Sequence, residues 1–172
     1  EGGRAPRTPM AWRSETPRRI PPRLLDAGLG LHALRPVPMV GREEERDRLW
    51  SALAEVNQVW TPRAVLVHGS AGVGKTRLVD WLAERAHELG VADVVRFTRN
   101  AAEARALVEA SAGGRPVVLV LDDVHNSVAA LGLAWSLLEF PLALPVLLVM
   151  TARAEGLAEA QDASRALATI AA

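Results

Sequence analysis

The sequence contains no cysteine and no tyrosine, and aromatic residues make up only 4% of it. Without cysteine there are no disulfides and no thiolate metal sites, a usage compatible with a reducing cytoplasm. The four histidines, His32, His68, His87 and His125, are scattered without metal-ligand spacing. No apolar run reaches membrane-spanning length; the longest candidates, 117–121 and 142–150, are strand-sized. The N-terminus carries arginines but lacks the apolar core of a signal peptide. The formal net charge is zero, so the chain as a whole lacks the basic signature of a nucleic-acid binder. These absences leave a cytoplasmic location and no membrane partner as the expectation. Lysine is almost missing as well: Lys75 is the only one, in a chain otherwise rich in arginine.

What is present begins with size. A chain of 172 residues, 49% of them apolar, suits one domain with a core and a tail. That single lysine falls in Gly69-Ser70-Ala71-Gly72-Val73-Gly74-Lys75-Thr76, directly after the apolar run Val65-Leu66-Val67. The octet matches G-x-x-x-x-G-K-[ST], the P-loop pattern, with a strand before it and a helix after it as the pattern requires. Its glycines allow backbone conformations closed to other residues. The loop N–H groups form an anion-binding nest, to which the following helix adds its positive end. Lys75 reaches β- and γ-phosphate oxygens, and Thr76 offers a hydroxyl to Mg²⁺. The plainer reading of the same residues is a glycine-rich turn between strand and helix.

Along the chain, residues 1–36 hold many prolines and arginines and read as a tail or linker. A basic arm for an acidic partner is the functional alternative, and a solubilising linker the plainer one. Residues 37–172 read as one domain. An amphipathic helix follows Val40-Gly41-Arg42, with acidic residues Glu43–Glu45 in its first turn and Leu49, Trp50, Leu53, Val56 and Trp60 at helical spacing. Strands are expected at 65–68, 91–98, 117–121 and 146–151, and helices at 74–89, 101–110, 127–140 and 154–171. The run Val117–Leu121 lacks alternation, which suits a strand of a parallel sheet buried on both faces.

Two aspartates, Asp122 and Asp123, sit at the C-terminal end of that strand, where α/β sheets bind ligands. Downstream of a P-loop, Asp122 is expected to hold Mg²⁺ and Asp123 to orient or deprotonate an attacking water. A helix cap is the alternative role for Asp123. Thr151-Ala152-Arg153 ends the next strand at the same sheet edge, with Arg153 a candidate γ-phosphate sensor and Thr151 a candidate for positioning water; an ordinary surface arginine is the plainer reading of Arg153.

In order, Val40-Gly41-Arg42-Glu43, the P-loop, Leu121-Asp122-Asp123-Val124-His125 and Met150-Thr151-Ala152-Arg153 make the chain, over roughly residues 37–155, resemble the AAA+-related STAND ATPases. These are the signal-transduction ATPases with numerous domains, and bacterial AAA ATPase modules lie close to them. The resemblance implies an α/β, three-layer P-loop NTPase fold of the additional-strand, AAA+-like kind, with a mainly parallel sheet in the order 5-1-4-3-2. It implies that Val40, Gly41 and Arg42 border the adenine of ATP. Gly69 to Thr76 and the adjoining Arg77 would hold its phosphates, Thr76 and Asp122 Mg²⁺, and Asp123 the hydrolytic water. Arg153 would match the arginine at the end of the fourth strand. No clear fifth strand, helical lid or winged-helix region follows residue 155, so the chain is expected to be the N-terminal part of a larger protein or an incomplete copy, with its first strand at a sheet edge.

The function expected is an Mg-ATP-binding, slowly hydrolysing switch in a signalling or regulatory protein, with protein partners or a nucleotide-dependent homo-oligomer. The alternatives are a non-catalytic nucleotide-binding or protein-interaction module and a DNA-related AAA+ ATPase, which the basic tail keeps open. A small-molecule kinase would need a lid with clustered arginines, which is not seen. A GTPase would need an [NT]-K-x-D motif, which a single lysine already used in the P-loop cannot supply.

Overall fold

In a computed structural model, the described residues are 9, 11–13, 39–111, 114–139 and 145–155. They form helix α1 (Glu43–Val59), strand β1 (Arg63–Gly69), helix α2 (Lys75–Glu88), strand β2 (Asp93–Arg96), helix α3 (Ala101–Ala110), strand β3 (Val117–Leu121), helix α4 (Val128–Glu139) and strand β4 (Val146–Arg153). A short 3-10 turn, Val124–Asn126, joins β3 to α4. All strand pairs are parallel, in the order β1-β4-β3-β2. This is the expected order of the first four strands, and β1 is an edge among the described residues.

Helices cover both faces. Successive residues of a strand point to opposite sides. Leu119 and Leu121 of β3, with Leu148 and Met150 of β4, pack with α3 and α4 residues such as Val108, Leu133 and Leu137. Val118 and Val120, with Leu147 and Val149, pack with Leu49, Trp50 and Leu53 of α1 and with Leu78, Val79 and Leu82 of α2. Every residue of β3 is buried, as the unbroken apolar run predicts. Burying each such side chain contributes roughly 1.5–3 kcal/mol. The result is a three-layer α/β/α unit with both central strands, β3 and β4, inside it.

Local chemistry explains the element ends. Asn100 caps α3, its side chain accepting from the amides of Ala102 at 3.1 Å and Glu103 at 3.2 Å, which offsets two of the donors a helix start leaves unpaired. The second strand is shorter than the sequence suggests. Val91 is taken up by the turn that closes α2, donating its amide to Ala86 O at 3.1 Å, so pairing begins only at Asp93. Trp60 departs from the expected apolar face of α1: it is the C-cap, at φ 57°, and is 45% exposed. The left-handed turn that ends the helix points this side chain away from the face formed by Leu49, Trp50, Leu53 and Val56.

The expected helix over 154–171 begins at Ala154 and Glu155; its remaining residues, 156–171, lie outside the described ones. Most of the Pro/Arg-rich tail also lies outside them. Pro9 and Ala11–Arg13 are described, and they are docked on the layer formed by α1 and α2, with Trp12, half-buried, packed against it. No described helix is long and apolar enough to cross a membrane.

Candidate functional site

The register of the sheet brings the site together. Gly69, the last residue of β1, pairs with Arg153, the last of β4. Leu121 pairs with Met150, so the chain leaves β3 at Asp122 beside Thr151. The phosphate loop, the two aspartates and Arg153 therefore converge at one carboxyl edge of a parallel sheet, the edge at which such sheets place ligands.

The loop runs from Gly69 to Gly74 and delivers the chain into α2 at Lys75. Gly72 and Gly74 have φ values of +77° and +86°, a region that side chains rarely adopt, and this lets the loop turn tightly in front of the helix. The first turn of α2 leaves amide N–H groups without intrahelical partners, and its dipole adds partial positive charge there. Lys75 is 8% exposed, and its ammonium donates to Gly69 O at 2.9 Å and Ser70 O at 2.8 Å. The loop's own carbonyls thus hold the cation at its centre.

Thr76 Oγ1 lies 3.3 Å from both carboxylate oxygens of Asp122. Thr151, 1% exposed, donates its hydroxyl to Asp122 Oδ1. The same hydroxyl accepts from the amide of Asp123 at 2.9 Å. Asp123 sits at φ 50°, a left-handed conformation that aspartate tolerates better than most residues. Its Oδ2 is 3.9 Å from Arg153 Nη2, with both side chains about half exposed. The backbone amide of Arg153 points to His125 Nδ1 at 3.4 Å.

A cleft of about 340 Å³ opens over these groups, lined by Ala71, Gly72, Gly74, Lys75, Thr76, Arg77, Asp123 and Arg153. The sequence-predicted residues therefore gather as follows. Ser70 and Gly69 hold Lys75, and Asp122 meets Thr76 just behind the lining residues. Arg42 lies at the loop's outer side, where its Nη2 donates to Val73 O. Arg42 and Gly41 both have positive φ, 57° and 77°. Val40 is 89% exposed, and neither it nor Gly41 lines the cleft. The bridging of Asp122 to Asp123 by Thr151 is not readable from sequence, since it depends on the pairing of β3 with β4.

The donors fit a magnesium ion that arrives with phosphate. Mg²⁺ takes oxygen ligands, often one or two carboxylates completed by phosphate and water. One hydroxyl and one carboxylate, Thr76 and Asp122, supply that set. Among the described residues, no group of three or more His, Asp or Glu side chains could hold an ion without such a partner.

No curated protein matches the chain. Among solved structures, a RuvB variant from Thermotoga maritima is 23% identical with a TM-score of 0.44, the match covering 68% of this chain and 40% of that one. The RuvB Holliday junction branch migration motor of the same organism is 22% identical with a TM-score of 0.40, covering 66% of this chain and 39% of that one. The chain thus spans less than half the length of either structure. From the turn before α1 to the start of α3, through the whole phosphate loop, residues 38–104 match the family model described as the AAA ATPase domain.

Proposed function

We propose that the cleft binds Mg-ATP and hydrolyses it slowly, and that the chain acts as a nucleotide-dependent switch of the STAND type within a larger signalling or regulatory protein. The observation that carries this reading is the hydrogen-bonded line Thr76–Asp122–Thr151 set beside the buried Lys75 at the carboxyl edge of the sheet. A turn with only structural duties has no use for a buried ammonium held by its carbonyls, followed directly by a hydroxyl that meets a carboxylate.

In this reading the loop amides and the N-terminus of α2 bind the phosphates. Lys75 exchanges its carbonyl partners for β- and γ-phosphate oxygens. Thr76 and Asp122 hold Mg²⁺, which, when bound, neutralises charge on the phosphates. Asp123 orients or deprotonates the attacking water, and Arg153 stabilises charge on the γ-phosphate. Arg42, already against the loop, borders the base with Val40 and Gly41. Protein partners or a homo-oligomer then read the nucleotide state.

One observation favours a second reading, a nucleotide-binding module without turnover. The Asp123 carboxylate faces Arg153 at 3.9 Å, so the candidate base has a cationic neighbour of its own. A multiple-turnover phosphate-release assay separates the two. Continuous release that disappears in Lys75→Ala supports the switch. ATP binding without release supports the silent module.

A further inference from the structure

Pro9, Trp12 and Arg13 contact α1 or α2, and none of them lines the cleft. The indole of Trp12 meets that of Trp81 edge-on, with centroids 5.1 Å apart and planes at 82°. The guanidinium groups of Arg13 and Arg46 each lie 4.3 Å from the centre of the same ring. Trp12 Nε1 donates to Asp47 Oδ1 at 2.6 Å. The Trp12 carbonyl accepts from Arg85 Nε at 2.9 Å and Nη2 at 2.6 Å. Three residues earlier, Pro9 O accepts from Trp50 Nε1 at 2.8 Å.

This is a specific dock rather than a chance contact. Arg46 is 6% exposed, and its Nε is buried with no hydrogen-bond partner among the described residues. The other two nitrogens are paired, Nη1 donating to Met39 O at 3.3 Å and Nη2 to Glu43 Oε1 at 3.0 Å, so Nε is the one buried donor left unmet, which is costly unless something compensates. The faces of Trp12 and, at 5.3 Å, Trp81 supply that compensation as cation–π partners. Without Trp12, Arg46 and the Trp81 indole would lose the ring packed against them.

Both helices lead to the phosphate loop. The N-cap of α1 is Arg42, whose guanidinium holds the Val73 carbonyl. The first residue of α2 is Lys75. Trp12 touches α1 through Arg46 and Asp47, one turn from Arg42, and α2 through Trp81 and Arg85. It is therefore a cross-link between the two elements that fix the loop from either side.

We propose that Trp12 is a positioning residue: docked between α1 and α2, it holds Arg42 on Val73 and keeps the phosphate loop in its anion-binding form. The ATP part of this inference rests on the nucleotide reading above; the ordering of the loop does not.

The test is amide hydrogen exchange on the full 172-residue chain without nucleotide. In Trp12→Ala, exchange should rise on the order of tenfold in α1, in α2 and in the loop Ser70–Thr76. Trp12→Phe, which keeps a ring between the guanidinium groups, should restore part of the protection, and it decides the matter should the alanine variant fail to fold. In an Arg42→Ala background, Trp12→Ala should add no further exchange in the loop, because the connecting contact is already gone. At a temperature where all variants are folded, Trp12→Ala should also weaken Mg-ATP binding by about 3- to 10-fold. Unchanged exchange in the loop, with or without loosening of the helices, overturns the proposal. If the unaltered chain fails to bind Mg-ATP, the nucleotide reading falls while the loop exchange still decides the role of Trp12.

Discussion

Thr151 joins the two aspartates at the end of β3: its hydroxyl donates to the Asp122 carboxylate and accepts from the Asp123 amide at 2.9 Å. One buried oxygen therefore sets both the direction of the candidate metal ligand and the left-handed turn that presents the candidate base. Thr151→Val keeps the shape and removes the hydroxyl. It should cost about 1–3 kcal/mol in stability, because the Asp123 N–H is left without its partner, and it should lower phosphate release as well. Urea denaturation and the release assay check both, and Thr151→Ser should recover most of each. Wild-type stability and turnover in the valine variant would show that the bridge is incidental.

Asp123→Asn should leave Mg-ATP affinity near that of the unaltered chain and lower turnover by roughly 100-fold or more, the scale of a lost general base. Single-turnover phosphate release with saturating ATP measures it. Equal turnover by the variant removes Asp123 from the mechanism.

Leu119 lies at the middle of β3, fully buried against the α3 and α4 layer. Leu119→Ala should destabilise the chain by about 2–5 kcal/mol, the range for deleting a large core side chain. Chemical denaturation tests this, and a loss well under ~1 kcal/mol would contradict the placement of β3 at the centre of the sheet.

The docked N-terminal segment should respond to acid. The indole N–H of Trp12 holds the Asp47 carboxyl below its ordinary value, helped by the hydrogen bond and charge of Arg13 and by the charge of Arg46, while partial desolvation opposes them. On α2, the facing charges are Arg85 and its partner Glu88. A carboxyl depressed in the folded state stabilises it above the unfolded-state value, and the contribution disappears as pH falls through the folded value. Lowering the pH through and below the ordinary carboxylate range should therefore loosen the Trp12 dock. Trp12 fluorescence is hard to isolate among five tryptophans, so exchange at α1 measured against pH is the better readout. Asp47→Asn should flatten that dependence; an unchanged pH profile in this variant would assign it to another group.

Much of this was legible in the sequence, and the reasons are local. The unbroken apolar runs of β3 and β4 mark strands buried on both faces. The phosphate loop is legible because its glycines, lysine and threonine each answer a separate physical demand. What escapes sequence reading depends on contacts between distant elements. The Thr151 bridge requires the register that pairs Leu121 with Met150. The grip of Arg42 on Val73 requires α1 to lie beside the loop. Trp12 falls in a Pro/Arg-rich stretch that reads as a linker, and only the spatial proximity of Arg46, Trp81 and Arg85 packs it against the core. Trp60 fails in the opposite way: it keeps the helical period but falls on the left-handed cap, where the period no longer fixes its direction.

The central claim is that Lys75, held at the floor of the loop by Gly69 O and Ser70 O, exists to meet phosphate. The most direct measurement is a calorimetric titration of the folded chain and of Lys75→Ala with Mg-ATP. The account predicts saturable binding by the chain, and a loss of about 30-fold or more in the variant, as expected when a charged partner worth ~2 kcal/mol or more is removed. Equal affinity in the two proteins, or no binding by the unaltered chain, would contradict it.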